Sequence, residues 1–339
     1  MLGVASSAAK VSLGFHLHPS VVLVVGAVAT FFWWAFTRLG PSVAPPGELA
    51  YSRRQRNWVI AGVVATFVFS FWPLHDISEK YLFLSHMLQH TVFTLVAPAC
   101  FLLGSPDWLW RWALRRRPFA ASVRFLSRPL VALLVFNGLI AVTHWPKVVE
   151  RSLHNEWFHF LLHAVLFASA TLMWIPVINR TELLPRLKTP TKMMYLFAQS
   201  IVPTVPASFL TFSKTPLYPT YGRAPRLIHG LDAVGDQQIA AAIMKIGAGG
   251  LLWAIVGYLF ISWQRDTRNG VSDDNILATG TSRVRIAGMT VDGGRVAAFA
   301  DGGSVAAHAD NTRAEDSEVL TWEHVRAEFD RLDAETSET

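Results

Sequence analysis

Four histidines in two pairs are the residues of this sequence best suited to chemistry. His86 and His90 stand four positions apart in an apolar stretch, and His159 and His163 repeat that spacing in another. Side chains at i and i+4 lie on one face of a helix, one turn apart, so each pair can reach a single metal ion. Ionisable side chains inside a membrane helix are costly and mark functional sites. Two such pairs therefore predict a metal or cofactor site.

The composition excludes an ordinary soluble protein. Of the 339 residues, 52% are hydrophobic and only 16% are charged, whereas soluble chains carry about 25% charged residues. The single cysteine, Cys100, excludes an intrachain disulfide framework and a metal site built from cysteines. The sequence therefore predicts a multi-pass membrane protein.

The predicted fold is an all-α bundle of seven transmembrane helices. A helix needs about 20 residues to cross the hydrocarbon core, within a range of about 17 to 25. The fourth stretch is short unless residues from Arg124 onward join it, and Pro203 and Pro206 are expected to break the sixth. The predicted spans are Ser20–Thr37, Trp58–Leu74, Leu82–Leu103, Pro129–Thr143, Trp157–Ile178, Met193–Phe212 and Gln238–Trp263.

The distribution of lysine and arginine predicts how these spans are oriented. The first, third and fifth loops carry 14 of these residues, and the alternate segments carry 7. Because positively charged loops stay in the cytoplasm, the N-terminus is predicted outside and the C-terminus in the cytoplasm. The basic residues are therefore topology signals that also contact membrane lipid, and no nucleic-acid partner is expected. Ten of the twelve histidines then lie on the outer side.

A change in composition divides the chain into two predicted domains. Residues 1–263 contain 22 Lys and Arg against 9 Asp and Glu, and residues 264–339 contain 8 against 15. The second part is predicted to be a cytoplasmic acidic tail, partly disordered because it is weakly hydrophobic. The Val284–Ala307 stretch has a little β character, but no strand is included in the predicted fold. An apolar stripe in Leu320–Leu332 predicts a short amphipathic helix that docks on a partner.

His75, His144 and Met87 complete the candidate ligand set as second choices. Imidazole suits copper, zinc and iron, and a thioether suits Cu(I), although a lone methionine is more often ordinary core packing. Three alternatives stay open. The histidines are hydrogen-bonded interfacial residues, or one from each helix ligates haem b in an electron carrier. The third alternative is a copper or proton-coupled transporter, with Pro203, Pro206 and Lys245 marking the pathway.

A series of short motifs distinguishes roughly residues 20–263. The most specific is Ser85–His90, which is followed by Val96–Pro98 and Leu103–Pro106. The others are Arg128–Asn137, His144–Pro146, His154–His163, Trp174–Pro176, Pro216–Pro219, Asp236–Ala240 and Met244. Together they resemble the motifs of the multi-pass CtaG family of cytochrome c oxidase assembly proteins, which are associated with caa-type oxidases. Lys245 departs from the family pattern, where an aromatic residue commonly follows the methionine.

The resemblance implies a non-catalytic role in the maturation of haem–copper oxidase at the bacterial plasma membrane. Copper, as Cu(I), is expected to bind near the outer membrane face and to be delivered to an oxidase subunit, or to stabilise one. His86, His90, His159 and His163 are the expected ligands, with Asp236 and Met244 as supporting groups. No residue is expected to act as an acid, base or nucleophile.

Overall fold

The structure, a computed structural model, describes most of the helical part of the chain and three short strands after it. The described residues are 19–46, 49–179, 181–268, 285–286, 289–292 and 295–298. The chain divides into two units, residues 1–280 and 281–339, which are described separately. The predicted docking helix in Leu320–Leu332 and most of the tail predicted to be disordered lie outside the described residues.

The described residues of the first unit form helices and their connections. The α-helices are α1 (Pro19–Trp34), α2 (Gly40–Val43), α3 (Arg53–Ser70), α4 (Leu74–Lys80), α5 (Phe83–Thr91), α6 (Ala97–Gly104), α7 (Asp107–Ala113), α8 (Arg117–Leu126), α9 (Pro129–Thr143), α10 (Pro146–Leu153), α11 (Glu156–Ile178), α12 (Thr189–Ile201), α13 (Thr204–Phe212), α14 (Pro219–Arg223), α15 (Ala233–Ala242) and α16 (Ala248–Arg268). Three π-helical segments connect consecutive helices: Ala35–Leu39, Val92–Val96 and Ile243–Gly247.

Within this described part, five helical stretches are long and apolar enough to cross a membrane. Two further pairs of helices pass the same test jointly but are bent, α3 with α4 by 48° and α8 with α9 by 76°. The described residues therefore contain five candidate spans, or up to seven if each bent pair is one span, and the prediction of a multi-pass helical protein is confirmed at this level. The five stretches are Val21–Val43, Phe83–Gly104, Glu156–Ile178, Thr189–Phe212 and Ala233–Arg268.

Pro203 and the bend between α8 and α9 explain where the helices of the sixth and fourth predicted spans end. Pro206 lies inside α13 and does not end it, but a break in the sixth predicted span is present, since α12 ends at Ile201 and α13 begins at Thr204. Between them lies Pro203, which has no N–H to continue the helical hydrogen bonds. The fourth predicted span, Pro129–Thr143, coincides with α9. Arg124 does not lengthen it into a straight helix, because α8 turns away from α9.

The packing of the helices brings the two histidine-bearing helices to the centre of the first unit. α5 packs against α4 and α15, while its continuation α6 packs against α3 and α11. α11 also packs against α9. The main apolar core between these helices contains the fully buried side chains of Phe83, Met173 and Trp174. A smaller apolar cluster around Phe32 and Trp108 joins α1, α3 and α7.

Three antiparallel strands are described in the second unit. They are β1 (Arg285–Ile286), β2 (Met289–Asp292) and β3 (Arg295–Ala298), in the order β1-β2-β3. The sequence between β2 and β3 is Gly293-Gly294, a strong hairpin signal. The all-α prediction therefore holds for the described residues of the first unit and does not extend to this small sheet.

Candidate metal centre

Both predicted histidine pairs meet in one place. Ring nitrogens of His86, His90 and His163 lie within 4.8 Å of one another. The His159 ring stacks on that of His163, with 4.3 Å between ring centroids. α5 and α11 therefore present their pairs to each other, which the helical spacing alone did not require. We define the histidine cluster as His75, His86, His90, His144, His159 and His163.

The second-choice residues of the sequence analysis lie at the edges of the same cluster. The His144 ring is 5.9 Å from the His90 ring, and the His75 ring is 6.5 Å from the His159 ring, measured between centroids. Met87 is buried and lines a cavity of about 50 Å³ together with His90 and His144. All seven predicted candidates are thus neighbours in space, although they come from three different helices and the residue after α9.

Several ring nitrogens of the cluster are buried without a partner. His86 Nδ1, His144 Nε2, His163 Nε2 and both nitrogens of His90 have no hydrogen-bond partner among the described residues. Leaving a buried polar group unpaired costs about 1–3 kcal/mol, and such groups in native proteins are nearly always paired. Imidazole nitrogens are also the commonest protein ligands for metals. This donor set therefore fits a metal ion.

The hydrogen bond of His144 gives it the tautomer that a metal ligand requires. Its Nδ1 lies 2.7 Å from the carbonyl oxygen of Ile140. Because a carbonyl oxygen can only accept, Nδ1 carries the proton and Nε2 has the free lone pair. Metal-ligating histidines typically donate their second ring N–H in this way, which fixes the ring orientation.

Glu79 links two histidines at the exposed edge of the cluster. Its Oε1 lies 3.2 Å from His75 Nε2 and 3.3 Å from His159 Nε2. The other ring nitrogen of His75, Nδ1, lies 3.2 Å from Gln89 Nε2. Both ring nitrogens of His75 therefore have a polar neighbour within hydrogen-bonding distance. The Glu79 side chain is 25% exposed, so it also connects the cluster with the exterior.

The sequence analysis did not identify Glu79 or Gln89 as parts of the site. A signal for each was present, because Glu79 follows His75 by the same four positions that separate the histidine pairs, and Gln89 lies inside the Ser85–His90 motif. The contact between Glu79 and His159 joins α4 to α11, and no local spacing predicts it.

Asp236 fixes the start of α5. Its carboxylate oxygens accept hydrogen bonds from the backbone N–H groups of Phe83, at 2.8 Å, and Leu84, at 2.9 Å. A carboxylate at a helix N-terminus pairs free N–H groups and complements the helix dipole. Asp236 belongs to α15, whose own first turn is capped by Asp232. The buried acid therefore positions the first turn of α5, and with it His86.

The start of α11 is fixed by a local cap. The Asn155 side-chain oxygen accepts a hydrogen bond of 2.9 Å from the backbone N–H of Phe158, a preferred arrangement for an N-cap residue. His159 follows immediately, and His163 lies one turn further along the helix. The two pairs are thus each set by a capped helix start.

Two tyrosines cover the first turn of α5. The Tyr221 hydroxyl donates to the backbone oxygen of Ser78, at 2.7 Å, and the Tyr218 hydroxyl donates to that of His144, at 3.0 Å. Both rings pack against Phe83, with centroid distances of 5.1 and 4.7 Å. Burial raises the pKa of each tyrosine hydroxyl well above its usual value. Both groups therefore stay protonated and keep donating.

Three other polar residues noted in the sequence lie apart from the cluster. His154, His229 and Lys245 are exposed. The exposure of Lys245 agrees with a charge that reaches outward along an apolar surface. The structure therefore separates a cluster of buried and partly buried histidines from the exposed His154 and His229.

A helical membrane protein with a cluster of closely spaced, buried and partly buried imidazoles is the class that this fold and site define. Residues 31–266 match the family described as cytochrome c oxidase caa3 assembly factor (Caa3_CtaG). The match covers more than half of the chain, so the protein belongs to this family, and the resemblance seen in the motifs is confirmed. No curated protein and no solved structure matches the chain.

Proposed function

We propose that this protein binds copper, as Cu(I), near the outer face of the bacterial plasma membrane and passes it to a cytochrome c oxidase subunit, or stabilises one with it. The observation that carries the proposal is that ring nitrogens of His86, His90 and His163 lie within 4.8 Å of one another. Each of these rings also has a buried nitrogen without a hydrogen-bond partner among the described residues. Membership of an oxidase assembly family supplies the recipient. The role is non-catalytic.

His86, His90 and His163 are the proposed ligands, with His159 as the fourth. Nitrogen–metal bonds of about 2.0–2.1 Å place ligand atoms roughly 3.4–3.6 Å apart. Small side-chain rotations therefore bring the three nitrogens into bonding range. His159 lies between His163 and Glu79, which suits it to receive an ion from the exterior.

The charge of Cu(I) suits this buried site better than that of a divalent ion. The cost of moving an ion out of water rises with the square of its charge, and buried charges need compensation. Glu79 places one carboxylate at the edge of the cluster. Neutral imidazole suits copper, and the neighbouring Met87 thioether suits Cu(I) in particular.

The available space favours an ion over haem b. The cavity beside His90 and His144 measures about 50 Å³, whereas pockets for ligands of drug size measure about 300–1,000 Å³. The His90 and His163 rings approach each other to 4.8 Å between centroids, which is too close for a porphyrin between them. The exposure of Lys245 likewise removes one of the three residues that suggested a transport pathway.

The proposed arrangement in the membrane has seven spans, with the N-terminus outside and residues 264–339 in the cytoplasm. α11 supports this orientation. Its first turns carry His159 and His163, whereas the connection after its last residue, Ile178, leads to Arg186 and Lys188. Since basic loops stay in the cytoplasm, the histidine cluster lies at the outer end.

The proposal is tested in cells that depend on this protein for oxidase assembly. Replacing His86, His90, His159 and His163 by alanine is expected to reduce the copper content and activity of the oxidase to the level of a deletion strain. The exposed His154→Ala variant is the matched control and is expected to behave as wild type. Normal oxidase copper with the four-histidine variant present in the membrane at wild-type abundance would overturn the proposal.

A further inference from the structure

We propose a second soft-metal site deeper in the bundle, where three methionine side chains, His90 and His144 line one cavity. The cavity measures about 50 Å³ and its methionines are Met87, Met173 and Met244. Its ligand class is Cu(I) or another soft monovalent ion, held by thioether sulfur and imidazole nitrogen. The inference rests on the proposed copper function and extends it from one binding position to two.

The methionines of the first unit are concentrated at this cavity. Met87, Met173 and Met244 are 4%, 0% and 7% exposed, and they come from α5, α11 and the π-helical segment Ile243–Gly247. Met193 and Met194 lie together near the start of α12, where Met194 is 72% exposed. Methionine often serves only as core packing. Here three thioethers share a cavity with unpartnered imidazoles, which packing alone does not require.

His90 joins the cavity to the histidine cluster. One of its ring nitrogens belongs to the set with His86 and His163. The same ring lines the cavity, and both of its nitrogens are buried without a hydrogen-bond partner among the described residues. An ion bound in the cluster can therefore reach the cavity by exchanging one ligand at a time while it stays bound to His90.

His144 supplies the second imidazole of the inner site. Its Nε2 is buried and lacks a partner in the described part of the chain, while its Nδ1 is held by the Ile140 carbonyl. The His144 and His90 rings are 5.9 Å apart between centroids. His144 thus has the tautomer and the position of a ligand without belonging to the close set of three.

Both π-helical segments near the cavity contribute to its wall. Val92–Val96 provides Thr94 and Leu95, and Ile243–Gly247 provides Met244. π-bulges are rare and occur frequently at functional sites. A bulge changes the direction in which the following side chains point, so each segment adjusts the cavity wall without ending the helix.

The size and donors of the cavity select the ligand. A cavity needs only about 10–15 Å³ to hold one small species such as water, so about 50 Å³ accommodates a bare ion. Thioether sulfur selects soft ions such as Cu(I) over Mg²⁺, Ca²⁺ or Mn²⁺. The inner site is therefore expected to be more selective for Cu(I) than the all-nitrogen cluster.

The test uses the full-length protein in detergent, titrated anaerobically with Cu(I) against a chromophoric Cu(I) chelator, with copper X-ray absorption on the loaded sample. The wild type is expected to bind two Cu(I) per chain and to show sulfur as well as nitrogen scatterers. Met87→Leu, Met173→Leu and Met244→Leu combined preserve apolar volume. This triple variant is expected to bind one Cu(I) and to lose the sulfur signal. Met193→Leu with Met194→Leu is the control and is expected to match wild type.

The outcomes separate this inference from the proposed function. One Cu(I) per chain with nitrogen ligands alone would overturn the inner site and leave the proposed function standing. No bound copper would overturn both. A sulfur signal that persists in the triple variant would also overturn the inner site. A single Cu(I) per chain with a sulfur signal would place Met87 at the histidine cluster and would also overturn the inner site. The wild-type stoichiometry, read together with the sulfur signal, therefore decides the question even if the triple variant does not fold.

Discussion

The polar side chains at the two ends of α11 differ in whether they have hydrogen-bond partners. After its C-terminal end, the Asn179 side chain donates to the backbone oxygens of Thr181 and Leu184, at 2.7 and 2.9 Å, and accepts from the Thr181 N–H at 2.8 Å. Near its N-terminal end, His163 Nε2 is buried without a partner among the described residues. At the C-terminal end of α11, the polar side chain is used in structural hydrogen bonds. Near the N-terminal end, a ring nitrogen remains available to a ligand.

This difference separates residues that stabilise the fold from residues that we propose to bind the ion. At 1.5 Å per residue, His159 and Asn179 are about 30 Å apart along the helix. At that distance the effects of mutations are expected to be independent. Substitutions at the Asn179 end should therefore alter stability without altering copper binding. Substitutions at the histidine end should alter copper binding without lowering stability.

The largest expected effect comes from replacing His86 and His163 together by leucine. The Cu(I) affinity should fall by more than about 100-fold, since even changes to residues behind metal ligands cost 10–100-fold. Thermal stability should stay the same or rise slightly, because apolar groups replace buried nitrogens that lack partners. Chelator competition and thermal denaturation in detergent measure the two quantities. A large loss of thermal stability with unchanged affinity would contradict the comparison.

Asn179→Leu should have the opposite signature. The variant leaves two backbone oxygens and one backbone N–H without their partner, which should lower the free energy of unfolding by about 2–3 kcal/mol. The Cu(I) affinity should not change. Equilibrium unfolding in denaturant and chelator competition on the same samples check both statements. Loss of copper binding in proportion to loss of stability would show that the two ends are coupled.

Asp236→Asn should affect both properties moderately. Asparagine can accept one of the two amide hydrogen bonds at the start of α5, but its NH₂ group then faces the other donor. The expected loss of stability is about 1–2 kcal/mol. The Cu(I) affinity should fall roughly tenfold, because a shift of the first turn of α5 moves His86. Asp232→Asn, which changes only the cap of α15, is the control and should leave the affinity unchanged.

The smallest expected effect is that of Glu79→Gln. Glutamine keeps the shape of the side chain but removes its charge, so Cu(I) affinity should fall by no more than roughly tenfold. Copper uptake should slow as well, because Glu79 is the partly exposed acid beside His159. Stopped-flow mixing with a Cu(I) chelate measures the rate. Glu156→Gln, which removes an exposed acid three residues before His159, is the control and should change neither the Cu(I) affinity nor the uptake rate. An equal effect in this variant would show that the loss of negative charge near the cluster, and not the contact between Glu79 and His159, is the cause.

Features set by local geometry could be predicted from the sequence. The i, i+4 spacing put His86 and His90 on one face of α5 because the helical period is fixed. The break at Pro203 was equally local, since it follows from a missing N–H. The family resemblance also depended on short contiguous motifs. These predictions needed no knowledge of which helices touch.

Features that join distant parts of the chain could not be predicted in the same way. Asp236 caps α5 from more than 150 residues away, whereas the sequence indicated it only as a supporting group of the site. The contact between Glu79 and His159 depends on α4 lying beside α11. The sequence did not indicate Met173 as a candidate ligand, because a methionine in an apolar span is ordinary until its neighbours are known.

The most direct test of the account is the copper content and optical spectrum of the purified protein after anaerobic loading with Cu(I). The account predicts at least one copper per chain, no haem absorption band, and loss of copper when His86, His90, His159 and His163 are replaced by alanine. His154→Ala should retain it. A haem band, or wild-type copper binding in the four-histidine variant, would contradict the claim that the buried imidazoles hold copper.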